Sequence, residues 1–497
     1  MTKHQTKGAN QTEHKADRRS EATAKNRRLS VVVFALFFSW LLAFLFEGRV
    51  LYAITDYYSV SASSYVFGAM LVQFAGLVSC GFFVKTMRSA RRLLLVSIAF
   101  CVAASFVFFT PPSFLWTVAI MAAAFLVGAC VASWGFYFKG FTPKSERIKT
   151  IADCLIFSNV LMMLPNMTLV LFSPQAGLGL SILILAAAFP FALLLPKDEA
   201  PEARRIAAAM PQKAPVSAKE KARVSIAGPL VFLCLFVVVI TINSGLMYQV
   251  VGPAFAHLET LTSWYWVLPY IAALFVMRNL PYKANRAYML YVAIAMIGFS
   301  FIAFLLMGRS WADYLVINTL MLGAFGIYDL FWWSILGEML ELVKNPAKIL
   351  GIGLAANVLG VFFGGLIGGT VTQPAGHGYI PTLLALGVVC VTLVLLPPLH
   401  KRLIGLLKSH IYLGALAELQ PQEQTKLIMR LNLTEKLTES ENRVMLLLIK
   451  GTTYKAIANE LYVSENTVKS HVKNIYSKAG VTSKAELANL ILGSSNN

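Results

Sequence analysis

Residues Val31–Phe46 read VVVFALFFSWLLAFLF, a run without a single charge. Glu47-Gly48-Arg49 interrupts it, and apolar residues resume at Val50. Ahead of it lies a polar stretch carrying Lys3, Lys7, Lys15, Arg18, Arg19, Lys25, Arg27 and Arg28. A secretory signal has a shorter apolar core followed by a small-residue cleavage site. The run therefore reads as a first membrane helix kept in the mature protein, with residues 1–29 as a disordered, basic cytoplasmic tail.

The rest of the chain has the same character. Of its 497 residues 57% are hydrophobic and only 13% charged, where a soluble protein carries about a quarter charged. This composition excludes an ordinary soluble protein. The formal charge of +19 fits either nucleic acid or basic cytoplasmic loops, and position decides between them. The six cysteines (Cys80, Cys101, Cys130, Cys154, Cys234, Cys390) lie in apolar segments with no Cys-x-x-Cys pair. They read as small buried hydrophobes rather than metal ligands.

A membrane span needs about 20 mostly apolar residues. Twelve such stretches are legible: 30–53, 62–84, 93–110, 114–137, 150–172, 178–196, 226–250, 264–280, 287–307, 314–337, 349–372 and 380–398. They form two sets of six, 30–196 and 226–398, separated by a polar, proline-containing loop at 197–225. Basic residues concentrate in alternate loops: Lys85, Arg88, Arg91 and Arg92; Lys139, Lys144, Arg147 and Lys149; the long middle loop; Lys283 and Arg286; Lys344 and Lys348. By the positive-inside rule both termini are cytoplasmic and the protein is a multi-pass cell-membrane protein.

Six plus six spans around a long central loop resemble the major facilitator superfamily, over roughly Leu29 to Leu399. That family carries a Gly-x-x-x-Asp-Arg-x-Gly-Arg pattern after its second span. Here Gly81 begins the matching stretch, and Lys85 stands at the aspartate position. The resemblance implies that spans 1, 4, 7 and 10 line a central cavity. Polar residues placed toward its outer half (Glu47, Arg49, Asn166, Asn243 and Tyr270) are the expected ligand-binding set. An internal pairing of Glu47 with Arg49 is the alternative reading of those two. Asp153, Arg278 and Asp329 are expected in the inner half, as a gate, a charge relay or structural pairs between helices. Trp332 and Trp333 are expected in the interfacial aromatic belt. Gly360, Gly364 and Gly368, spaced by four, predict close helix packing within the bundle.

Composition changes after Leu399. Residues 399–432 read as a cytoplasmic linker containing an amphipathic helix at Leu403–Leu419, and 433–497 as a small soluble domain of four helices. Thr438 and Glu441 form a capping box for the first helix. Thr453 caps the second, Tyr454–Leu461; Ser464 caps the third, which Gly480 ends; Ser483 caps a fourth from Lys484 to Leu492. At 100° per residue, Val468, Val472, Ile475 and Ala479 form a core stripe on the third helix. Asn466, Lys469, Ser470, Lys473 and Ser477 occupy its opposite face. Two lysines among small polar residues suit the major groove, where lysine reaches the guanine O6 and N7 acceptors. The wheel alone also permits a solvated helix in an ordinary four-helix domain.

The stretch LTESENRVMLLLIKGTTYKAIANELYVSENTVKSHVKNIYSKAGVTSKAE resembles the LuxR-type helix-turn-helix along its whole length. Matching positions include Glu441, Gly451, Lys455, Ile457, Ala458, Leu461, Ser464, Thr467, Val468, Lys469, His471, Ile475, Lys478, Gly480, Val481 and Ser483. By that resemblance Lys469, Ser470 and Lys473 meet base edges, Lys455 and Thr467 hold phosphates, and the fourth helix makes a dimer contact. His471 is structural. Ser440, Tyr454, Ala479 and Lys484 depart from the family's usual residues.

The expected fold class is thus all-α: a twelve-helix transmembrane bundle, major-facilitator-like, with a C-terminal LuxR-type helix-turn-helix. No Gly-x-x-x-x-Gly-Lys loop or His-Glu-x-x-His helix occurs, so no catalytic residue, metal or cofactor is expected. The expected function is a membrane-bound one-component transcriptional regulator. Its partners are promoter DNA, a small organic ligand, the bilayer and a second copy when bound to DNA. The alternative is a secondary transporter with an appended regulatory domain.

Overall fold

The computed structural model describes residues 3–45, 48–198, 227–280, 286–340, 343–371, 379–418, 437–449 and 454–481, with Leu487 and Leu490. Every regular element among them is helical. Lipid offers backbone groups no hydrogen bonds, so apolar stretches must satisfy their own within helices. Twelve helical runs among the described residues are long and apolar enough to cross a membrane, from Glu21–Tyr57 to Ile380–Leu399.

The first half contains α1 (Lys3–Trp40), α2 (Arg49–Tyr57), α3 (Ser63–Phe83), α4 (Met87–Ser105), α5 (Phe114–Ser133), α6 (Gly135–Phe141), α7 (Arg147–Leu171) and α8 (Pro174–Leu194). The second contains α9 (Ala227–Leu246), α10 (Glu259–Trp264), α11 (Val267–Asn279), α12 (Arg286–Leu306), α13 (Trp311–Met339), α14 (Pro346–Val371) and α15 (Ile380–Glu418). Then come α16 (Glu439–Ile449), α17 (Tyr454–Glu460) and α18 (Glu465–Lys478). The chain divides into two compact units, one made of the apolar helices up to Pro397 and one taking in the residues from Pro398.

The two halves of the helical body meet along α3 against α14 and α7 against α11. The glycine stripe of α14 is where close approach is needed. A Cβ added at Gly360 would run into Thr241 and the Val238 carbonyl, and one at Gly364 into the Ile242 carbonyl of α9. The stripe packs inside the bundle, as its spacing predicts.

The first helix of each half carries a π turn. A π turn spans Leu41–Leu45, before Gly48 and Arg49, and another spans Met247–Val251, just after Asn243. Such turns leave ladder bonds misaligned and concentrate at functional positions.

The structure runs α1 from Lys3, through a stretch that holds no proline and is rich in Ala, Lys, Glu, Gln and Arg, all good helix formers. Two expectations need correction. Trp332 and Trp333 do not form an interfacial belt, since they are 0% and 5% exposed. Hydropathy places a tryptophan in a span but not around the helix, and α13 is packed by α7, α11, α12 and α14. Finally, the amphipathic linker helix expected at Leu403–Leu419 has no separate start: one helix runs Ile380–Glu418.

Candidate DNA-reading face and intramembrane site

The C-terminal domain is built around Val444, Met445, Leu448, Ile457, Ala458, Val468, Val472, Ile475 and Leu487, all buried. Thr438 and Glu441 close a reciprocal cap on α16. The Thr438 amide donates to Glu441 Oε2 at 2.8 Å, and the Glu441 amide donates to Thr438 Oγ1 at 3.2 Å. Lys478 of α18 donates to the same Glu441 Oε2 at 3.0 Å, so the cap of one helix is tied to the end of another. Burial alone pushes the Glu441 carboxyl up. The Thr438 donors and the Lys478 ammonium outweigh it and hold the group below the ordinary carboxylate range.

Between α17 and α18 the chain turns through Leu461-Tyr462-Val463. Tyr462 lies in the left-handed region, φ 56°, with its side chain 95% exposed. Ser464 then caps α18, its Oγ accepting from the Thr467 amide at 3.1 Å. The far end closes at Gly480, φ 63°, where the Val481 amide reaches back to the Tyr476 carbonyl at 2.9 Å.

These two caps fix the azimuth of α18. Val468, Val472 and Ile475 point inward, while Asn466, Lys469, Ser470, Lys473 and Ser477 are exposed. Lys469 pairs with Glu465 one turn earlier at 2.9 Å, and Lys473 forms no ion pair among the described residues. Thr467 is exposed beside the Ser464 cap, and His471 is half-buried. Lys455 lies on α17, with its side chain outside the described residues, as is most of the expected fourth helix.

In the helical body, Glu47 lies outside the described residues. Arg49 reaches from α2 to α10, its Nη1 donating to Thr262 Oγ1 at 3.3 Å. Asn166 on α7 and Asn243 on α9 are each 1% exposed, and among the described residues neither amide oxygen nor nitrogen has a protein partner. Leaving such a group unsatisfied costs about 1–3 kcal/mol. Tyr270 turns to another partner: its hydroxyl donates to Asp329 Oδ2 at 2.9 Å. No hydrogen bond joins any two of Arg49, Asn166, Asn243 and Tyr270 among the described residues.

The two halves are also tied at the end carrying the basic loops. Arg278 of α11 grips Asp153 of α7 with two bonds, Nε–Oδ1 2.7 Å and Nη2–Oδ2 3.2 Å. Arg147 donates to the Gly337 carbonyl at 2.9 Å, and Lys139 to the Val343 carbonyl at 2.8 Å. Asn345, which sequence reasoning passed over, donates to the Gly81 and Val84 carbonyls at 2.8 and 3.0 Å. It thus caps the last turn of α3 from the other half. Gly81 packs directly on the Lys348 backbone, so this junction is tight although Lys85 occupies the usual aspartate position.

Residues 435–491 match the luxR family of bacterial regulatory proteins. The spore germination protein GerE of Bacillus subtilis is 42% identical over 50 residues, covering 10% of this chain and 68% of GerE. An HTH-type regulator encoded in the exeN 3′ region of Aeromonas salmonicida is 43% identical over 58 residues, 12% of this chain and 30% of that protein. The chain thus spans about a third of that relative. The helical body is similar to solved structures of the human organic anion transporter MFSD10 (TM-score 0.53, 16% identity) and of an outward-facing bacterial homologue of the iron transporter ferroportin (TM-score 0.56, 13% identity). Each comparison covers 76% of this chain and 99% of the other. These likenesses show the fold alone. The chain belongs to the luxR family of bacterial regulatory proteins, its helix-turn-helix carried on a twelve-helix body of the major facilitator fold.

Proposed function

We propose that this protein is a membrane-bound one-component transcriptional regulator, which senses a small molecule in its helical body and binds promoter DNA through α18. The observation that carries this reading is the exposed Lys469–Ser470–Lys473 face on a packed helix-turn-helix, in the same chain as a complete transporter-like body. Lys469, Ser470 and Lys473 read base edges, and Thr467 and Lys455 hold phosphates. DNA-bound copies pair as a dimer. The charge bias of the loops puts both termini, and hence the reader, on the cytoplasmic side.

The ligand is held between the halves; the buried amides of Asn166 and Asn243, unpartnered among the described residues, support this reading. Binding shifts the body between conformations only to the extent that the ligand favours one of them. The Asp153–Arg278 grip and the Asn345 junction are the contacts between halves that such a shift would remake.

A second reading, a working transporter with an attached regulator, draws on the 99% coverage of two transporter structures. One experiment separates them. A reporter driven by the DNA beside this gene is measured across a panel of small organic compounds, together with uptake of any active compound into vesicles. The sensor reading expects a response to one compound that is lost in Lys469→Ala plus Lys473→Ala, without accumulation in vesicles. A response that survives the double substitution sinks it.

A further inference from the structure

Asp329 is the one acidic or basic residue of α13 between Asp313 and Glu338. It lies ten residues before Met339, about 15 Å along the helix, well inside a run long and apolar enough to cross a membrane. Its carboxylate is firmly oriented. Tyr270 Oη donates to Oδ2 at 2.9 Å and Trp332 Nε1 donates to Oδ1 at 3.1 Å. Among the described residues no basic side chain pairs with it, and Arg278, on the same helix as Tyr270, is committed to Asp153. A carboxylate at this depth is costly unless something positive accompanies it.

Its surroundings say what that partner is. From Met321 to Met339 every residue of α13 is buried except Asp329, Phe331 and Glu338, which are half-buried. Trp333, one turn on from Asp329, meets Phe34 of α1 edge-on at 6.2 Å. Phe34 lies 4.5 Å from Trp134, which stacks on Phe138 at 4.9 Å. Asp329 thus belongs to the side of α13 that looks across to the first half, one turn from an aromatic cluster. Ser244 and Tyr328 share a 2.6 Å hydrogen bond, which sets Asn243 and its unpartnered amide level with Asp329. A hard metal ion needs several oxygen ligands, and no group of three His, Cys, Asp or Glu stands together among the described residues. A lone carboxylate one helical turn from an aromatic cluster suits a soft organic cation, held by charge and by cation–π attraction.

We propose that Asp329 is the binding site for the cationic group of an organic ammonium ligand, with Tyr270 and Trp332 fixing the carboxylate and the Trp333–Phe34–Trp134 cluster walling the site. This deepens the sensor reading, and rests on it, by naming the chemical class of the ligand. The test uses the purified full-length protein without DNA. Benzyltrimethylammonium, charged at every pH, is titrated by calorimetry beside its neutral isostere neopentylbenzene and the anion benzenesulfonate. The cation should bind saturably and at least about tenfold more tightly than either. Asp329→Asn should abolish that preference, and Asp329→Glu should restore part of it. Equal binding of the isostere, unchanged cation binding in Asp329→Asn, or no saturable cation binding to the wild type would each overturn the proposal. The isostere comparison needs no variant, so a folding defect in Asp329→Asn leaves the test intact. Because DNA is absent, this result stands apart from the reporter experiment: a body that binds the cation without controlling transcription fails only the sensor reading.

Discussion

Removing the Glu441 carboxylate should loosen the whole DNA-reading domain without touching its reading face. Glu441 is 3% exposed and serves two helices at once, capping α16 and receiving Lys478 from α18. Loss of a helix cap costs about 1 kcal/mol. Breaking a fully buried ion pair from one side costs about 3–5 kcal/mol. The Lys478 side chain is 20% exposed and can rehydrate, so about 1–3 kcal/mol is the appropriate share here. Glu441→Ala should therefore cost about 2–4 kcal/mol, against a total of about 3–9 kcal/mol for a domain of about 60 residues. Amide hydrogen exchange on the full-length protein reads this directly. Protection at Val444, Val472 and Ile475 should fall by about thirtyfold to several hundredfold. The same substitution made with Lys478→Ala already present should cost markedly less, because part of the interaction is gone. The pH dependence has a definite sign. The folded carboxyl sits below its unfolded value of about 4.3, so its contribution is complete above that pH and is lost as pH falls through the folded value. Glu441→Gln should remove that dependence. Unchanged protection in Glu441→Ala, or equal costs with and without Lys478, would refute the reasoning.

Three further outcomes follow from particular residues. Tyr462→Gly should stabilise the helix-turn-helix by about 1 kcal/mol, read as increased exchange protection in α18, because a non-glycine residue holds φ 56° there with an exposed ring. Gly364→Ala should sharply reduce the yield of folded protein in membranes while Gly369→Ala does not, since a Cβ at 364 meets the Ile242 carbonyl and one at 369 meets nothing within 4 Å. Arg278→Lys keeps the charge but loses the two-pronged grip on Asp153. It should shift the dose–response of the reporter about tenfold, for about 1.4 kcal/mol of bias between conformations, and an unmoved curve would mean the grip is the same in both.

The twelve spans were legible because a membrane helix announces itself by length and apolarity, and α18 because its core period and its caps are local. Tertiary azimuth was not. Trp332 and Trp333 face the interior because α13 is surrounded by other helices, which no hydropathy window records. Asp153 meets Arg278 across 125 positions of sequence. Asn345 meets Gly81 across 264, and nothing near Asn345 in the chain marks it as the cap of α3. Tyr270 was grouped by depth with Asn166 and Asn243, yet depth alone does not fix a partner, and its hydroxyl belongs to Asp329. The glycine stripe of α14 was the exception, because a spacing of four carries its own packing geometry.

The central claim is that an integral membrane protein reads DNA through α18. It is tested most directly by measuring the affinity of the full-length protein, held in lipid nanodiscs, for the DNA beside its gene, with and without Lys469→Ala plus Lys473→Ala. Each base contact is worth about 1–3 kcal/mol, so specific binding should weaken at least about thirtyfold while exchange protection of Val468, Val472 and Ile475 is unchanged. Equal affinity in the two proteins would contradict the account.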